Sequence, residues 1–133
     1  MKFIIDPNIF QRFPSVTIGV VTVSGANNNQ SISEIQELLR TQEDRIRSEY
    51  TLESLGTDPR IVAWREAYRL FGAKPKDNRS SVENLFSLVL RGVQVRSINT
   101  LVDVYNVISL KHMLPVGGED LDKVKGDICL TSA

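Results

Sequence analysis

Between Thr100 and His112 lies a segment that is apolar on nearly every side, built from Leu101, Val102, Val104, Tyr105, Val107, Ile108 and Leu110, with polar residues recurring three apart as Thr100, Asp103, Asn106, Ser109 and His112. It reads as a helix that then runs into a Pro115, Gly117-Gly118 turn. A buried polar group costs free energy unless it is paired, so the polar seam needs a purpose. Each step of three residues falls about 60° short of a full helical turn, so only neighbours in the series share a face. Asp103, Asn106 and Ser109 therefore make one short polar strip, and His112 has wound away from it.

With 133 residues, 41% of them hydrophobic, the chain suits a single globular domain, 1–133, with a modest core. It has no apolar run long enough to span a bilayer. Met1 to Ile5 is too short an apolar run for a secretory signal and gives way at once to Asp6-Pro7. A cytoplasmic location is therefore expected. Cys129 is the only cysteine, which excludes an internal disulfide and a cysteine-cluster zinc site.

Sixteen basic and sixteen acidic residues balance overall. Acids dominate from Glu34 to Asp58, whereas Arg60, Arg65, Arg69, Lys74, Lys76, Arg79, Arg91 and Arg96 outnumber the acids in the stretch that follows. Such asymmetry gives a neutral protein a local positive face to which a phosphate backbone responds. A solvated surface with mutually offsetting neighbours is the alternative reading.

Ser15 to Gly25, SVTIGVVTVSG, is rich in β-branched residues and is expected to be a central strand. Ser31 to about Tyr50 has amphipathic helical spacing through Ile32, Ile35, Leu38, Leu39 and Ile46, with Glu43 and Arg47 as an i,i+4 pair. Asp58 followed by Pro59 opens a further helix, for which Gly72 is the left-handed terminator and Pro75 the block to continuation. Ser80 and Glu83 form a capping box for a helix ending at Gly92, and Thr100 with Asp103 suggests the same device. Gly126 opens a last apolar run, Ile128 to Leu130, that reads as a strand. Strands at the ends and helices between them predict a mixed α/β fold, helices packed on a small mixed sheet. So few strands leave little sheet to cover four helices, so a truncated domain, or one that needs a partner, is expected.

Familiar catalytic constellations are sparse. His112 is the only imidazole, and in the last turn of a helix it is expected to face solvent. Cys129, in an apolar strand, is expected to act as a small core residue. Glu119, Asp120, Asp122 and Asp127 do not match an EF-hand loop, and neither a metal nor a cofactor is expected. Ile61, Trp64, Tyr68 and Phe71 recur at helical spacing as a buried stripe, leaving Arg65 and Arg69 pointing outward.

Four ordered elements carry a resemblance. Trp64-Arg65-Glu66-Ala67-Tyr68-Arg69-Leu70-Phe71-Gly72-Ala73-Lys74-Pro75 and Ser80-Ser81-Val82-Glu83-Asn84-Leu85 precede R-S-I-N-x-L-V-D-V-Y-N from Arg96, and L-P-V-G-G with D-L-D-K-V and G-D-I follows. This order resembles the editing domain of the phenylalanyl-tRNA synthetase β subunit, its paired third and fourth B modules, and most closely the free-standing bacterial proteins built from it. The match is strong over the second half and weaker over the first.

The resemblance implies a tRNA-associated α/β domain, which in the synthetase hydrolyses wrongly attached tyrosine from the tRNA 3′ end. The family's turn reads P-x-H-x-x-D. Its proline and aspartate correspond to Pro115 and Asp120, but its histidine position is Gly117 here. The family domain also continues beyond Ala133, where its editing acid lies, so no catalytic residue is expected in this chain. The expected function is tRNA binding or aminoacyl recognition without hydrolysis, with tRNA or its aminoacylated 3′ end as partner. A trans-editing hydrolase and an amino-acid-like small-molecule binder are the alternatives. Asp103, Asn106, Ser109, Gly117, Gly118 and Asp120 are the expected substrate-binding residues. Arg65, Arg69, Lys74, Lys76, Arg79 and Arg96 are the expected nucleic-acid contacts.

Overall fold

Proline and glycine punctuation decides where most of the helices begin and end. The structure, a computed structural model, describes residues 1–30, 32–74 and 77–132. In chain order the elements are β1 (Phe3–Ile5), α1 (Pro7–Arg12), α2 (Ser33–Glu49), α3 (Leu52–Thr57), α4 (Pro59–Leu70), α5 (Ser81–Leu90), α6 (Thr100–His112) and β2 (Ile128–Leu130). The fold is mixed α/β, and β1 pairs in parallel with β2, Ile4 opposite Cys129.

Two compact units form, one from Met1–Ala26 with the segment from Gly118 on, the other from Asn27–Gly117. The first holds the strand pair and α1. Asp6 caps α1 by accepting from the Asn8 N–H, with Pro7 opening the helix. Lys2 N–H donates to Asp127 Oδ1 at 2.8 Å, which closes the start of the ladder. Ser15 to Gly25, expected as a central strand, belongs to no strand: it pairs with nothing in a β ladder, and Val20, Val21 and Val23 are exposed. Its β-branched composition favours extended backbone, but a strand exists only where a neighbour takes its N–H and C=O groups. Cys129, expected inside, is exposed on β2.

The second unit is helical. α2 packs mainly on α6, and α5 lies against α2, α3 and α6. Its core joins Leu39 and Ile46 of α2, Leu55, Ile61, Val82, Phe86, Val89, Val95, Val107, Leu110 and Met113. Full burial of each such side chain contributes roughly 1.5–3 kcal/mol. The ring of Tyr50 meets Phe86 edge-on at 5.6 Å. The aromatic stripe of α4 is buried only at its start: Ile61 is inside and Trp64 packs on the core, but Phe71 is exposed.

Helix ends follow local chemistry. Gly72 and Gly92 take left-handed φ of 80° and 79°, as expected for terminators of α4 and α5. α6 is capped by Asn99, whose Oδ1 accepts from Val102 N–H, and not by Thr100. It ends at Met113, a buried non-glycine residue at φ 52°. Ser109 holds that turn from both sides: its Oγ donates to the Leu114 carbonyl at 2.6 Å, and its own carbonyl accepts from Leu114 N–H.

Asp58 starts α4, accepting from Arg60 N–H at 2.9 Å, and its second oxygen meets the Arg60 guanidinium at 2.8 Å. The Arg60 side chain holds this carboxyl below its ordinary value, and the helix amides add to the effect. A lowered folded-state pKa contributes stability above the unfolded value, near pH 4, that is lost as pH falls through the folded value. Asp58→Asn keeps a capping oxygen but cannot titrate. It is therefore expected to lose up to about 1 kcal/mol at neutral pH and to flatten part of the decline in stability below about pH 4. Urea titrations of both proteins across that range measure it; parallel curves would disprove the assignment.

Candidate functional site

α2 carries an acid on its inward face. Glu43 lies one turn from Leu39 and from Ile46, and its side chain is 1% exposed. A buried carboxylate needs several partners, and it has them: Arg40 at 2.9 Å, Arg47 at 3.6 Å and the Val95 N–H at 2.7 Å. Arg40 also donates to the Val95 carbonyl at 2.7 Å. One turn of α2 thus holds both backbone groups of Val95 and pins the segment 93–98 beside the helix. Further along, Arg45 donates to the Leu110 carbonyl and Arg47 to the Val89 carbonyl, placing cations at the C-terminal ends of α6 and α5.

Pinning that segment leaves a recess of about 680 Å³ lined by Ser33, Gln36, Glu37 and Arg40 of α2 and by Gln94, Val95, Arg96 and Ser97 opposite. The volume is that of a small-molecule pocket. Val95 is the one aliphatic residue among its lining residues; the others bring hydroxyl, amide, carboxylate and guanidinium groups on apolar stems. Gln36 Nε2 donates to Ser97 Oγ at 3.2 Å, and the Ser97 hydroxyl donates to Asp103 Oδ2. Arg96 is exposed and makes no ion pair among the described residues.

Against this geometry the expected residues fall into groups. Asp103, 1% exposed, stands behind the recess: it accepts from Ser97 and, at 3.3 Å, from Ile98 N–H, so it positions a wall. Ser109 is committed to the turn after α6. Asn106 is half-buried with no side-chain hydrogen bond to a described residue. None of these three lines the recess. Gly117 is exposed, and a Cβ there would meet nothing within 4 Å. Gly118 and Asp120 belong to the other unit, where Asp120 Oδ1 accepts from Asp122 N–H in a local turn.

Among the basic residues, Arg65 does not point outward. Its guanidinium forks onto Glu83, at 2.8 and 3.3 Å, and donates to the Gly56 carbonyl at 3.0 Å. These Glu83 contacts raise its pKa further. Glu83 therefore turns to Arg65 instead of completing the capping box, although its N–H still reaches Ser80 Oγ. Arg69 pairs with Glu66 at the surface. Lys74 and Arg79 are exposed, and Lys76 lies outside the described residues.

Arg96 apart, which was expected as a nucleic-acid contact, the recess residues were missed because its two walls are some 55 residues apart in sequence, as in the bond from Arg40 to Val95. Two signals were present: Val93-Gln94-Val95-Arg96-Ser97 alternates at strand period, and Glu43 sits where the helix period demands an apolar residue. Among the described residues no group of three His, Cys, Asp or Glu is placed to hold a metal, and no helix is long and apolar enough to cross a membrane. A family model described as the B3/4 domain matches residues 63–133, just over half of the chain, which includes the 94–97 wall but not α2. No curated protein and no solved structure matches the chain.

Proposed function

Because the chain belongs to the B3/4 domain family, the tRNA-synthetase-related domain of the phenylalanyl-tRNA synthetase β subunit, we propose that it binds the 3′ end of tRNA or its aminoacyl ester without hydrolysing it. The polar recess between α2 and residues 94–97 carries this reading. Amide, hydroxyl and guanidinium groups line it, and these hydrogen-bond ribose, ester carbonyl and phosphate. Its walls are fixed by buried, fully partnered acids, Glu43 and Asp103, so little ordering remains to be done on binding. Arg96 is the phosphate contact. Lys74 and Arg69 extend the basic surface, and Asn106, with its uncommitted amide, is the seam residue available to a ligand.

Hydrolysis of an ester needs a group to activate water. In the recess only the Glu37 carboxylate could act so, and it is exposed with no hydrogen-bond partner among the described residues to orient it; His112 is exposed in the last turn of α6. Binding is the function this lining supports. A hairpin RNA with a single-stranded CCA end, deacylated or charged with tyrosine, tests it by fluorescence anisotropy at two salt concentrations. Affinity should fall as salt rises, and Arg96→Gln should weaken it about threefold to tenfold. Absent or salt-insensitive binding would overturn the RNA reading. Release of tyrosine above the buffer rate would overturn the non-catalytic one.

A further inference from the structure

A second recess, of about 320 Å³, opens on the outer side of α5 and is lined by Arg79, Asn84, Ser87, Leu88 and Arg91. Asn84, Ser87, Leu88 and Arg91 follow one another at helical spacing on a single face, and Arg79 reaches it from the turn before the helix. Ser87 is 8% exposed, yet its hydroxyl has no hydrogen-bond partner among the described residues. No fully enclosed side-chain oxygen is left unsatisfied in the described part of the molecule, so this hydroxyl opens onto the recess. A helical serine can satisfy itself on the carbonyl a turn earlier; this one does not, and its hydroxyl is left available.

The charges around it are unbalanced. Arg91 makes no ion pair among the described residues. Arg79 approaches Glu83 only at 3.7 Å, while Arg65 already holds that carboxylate at 2.8 Å. Two guanidinium groups, one amide and one hydroxyl line the recess together with the apolar Leu88, no acid lines it, and it has room for an oxyanion with its water. We propose that this face of α5 is a phosphate-binding site, in which Arg79 and Arg91 flank the phosphate oxygens and Ser87 Oγ and Asn84 Nδ2 donate to them. The proposal does not depend on the recess beside α2. The phosphate has two sources with the same chemistry: a terminal phosphomonoester or free phosphate, and a backbone phosphodiester of RNA.

Amide chemical shifts of the full chain, labelled with nitrogen-15, decide it during titration with inorganic phosphate against chloride of matched ionic strength. Phosphate should move the amides of residues 84–91. The double variant Arg79→Gln, Arg91→Gln should weaken the response at least about tenfold, and Ser87→Ala, which retains the helix, should weaken it less. Unmoved α5 amides, or a double variant that responds like the parent, would overturn the site. A 5′-phosphorylated oligoribonucleotide and its 5′-hydroxyl counterpart then separate the sources: a response to both supports the backbone, and a response to the first alone supports the terminal phosphate. RNA that shifts only residues 33–40 and 94–97, with α5 silent to phosphate, would sink this site and leave the RNA reading standing. The reverse pattern would do the opposite.

Discussion

Arg65→Met is expected to destabilise the helical unit by about 3–5 kcal/mol, the usual penalty for stranding a buried charge. Glu83 has a side chain only 3% exposed, and Arg65 supplies its two closest contacts; with Arg65 gone, Arg79 at 3.7 Å is the one cation left beside it among the described residues. The Gly56 carbonyl loses its donor as well. Urea unfolding followed through Trp64, the only tryptophan, measures the loss. A loss below about 1 kcal/mol would mean that water reaches Glu83 and that the pair is an ordinary surface bridge. Arg65→Met with Glu83→Leu should recover most of the stability, because the stranded charge goes with its partner. The same reasoning reclassifies Arg65 functionally: any RNA-binding defect of the single variant should track unfolding.

Glu43→Ala is the second large effect, expected at about 3 kcal/mol. It leaves the buried Val95 N–H without an acceptor, opens a cavity beside Leu39 and Ile46, and removes the common partner of Arg40 and Arg47. Glu43→Gln retains an oxygen for the Val95 amide and should cost less, about 1–2 kcal/mol. Both variants should loosen segment 93–98, and with it one wall of the recess. Hydrogen exchange at Val95 and Ser97 reports this directly. Protection unchanged in a folded Glu43→Ala protein would show that the segment is held by something else.

Helix boundaries were the most legible part of the chain. Asp58-Pro59, Ser80, Gly72 and Gly92 act where their local chemistry places them, because a cap or terminator involves residues only two to four apart. The Asp6-Pro7 pair carried the same signal as Asp58-Pro59 and opens α1, a short helix that a reading of periodicity passes over. Of the α6 seam, Asp103 and Ser109 are buried and Asn106 half-buried, and these members serve different ends. Asp103 steadies Ser97, Ser109 locks the turn around Met113, and Asn106 stays uncommitted. Spacing alone shows that a helix carries polar groups on one face; it does not say what lies opposite that face.

The residue order by itself determined the positions of the main helices, the terminal strand at Ile128 and the family, since all of these rest on short-range pattern. Only the tertiary structure decided that Ser15 to Gly25 forms no ladder, that Arg65 faces Glu83, and that a recess opens between α2 and residues 94–97. Each of those outcomes depends on a group far along the chain, 18 residues away for Arg65 and Glu83 and 52 for Glu43 and Val95. Whether a buried charge or an extended backbone is satisfied depends on which partner arrives to meet it, and no local propensity encodes that partner.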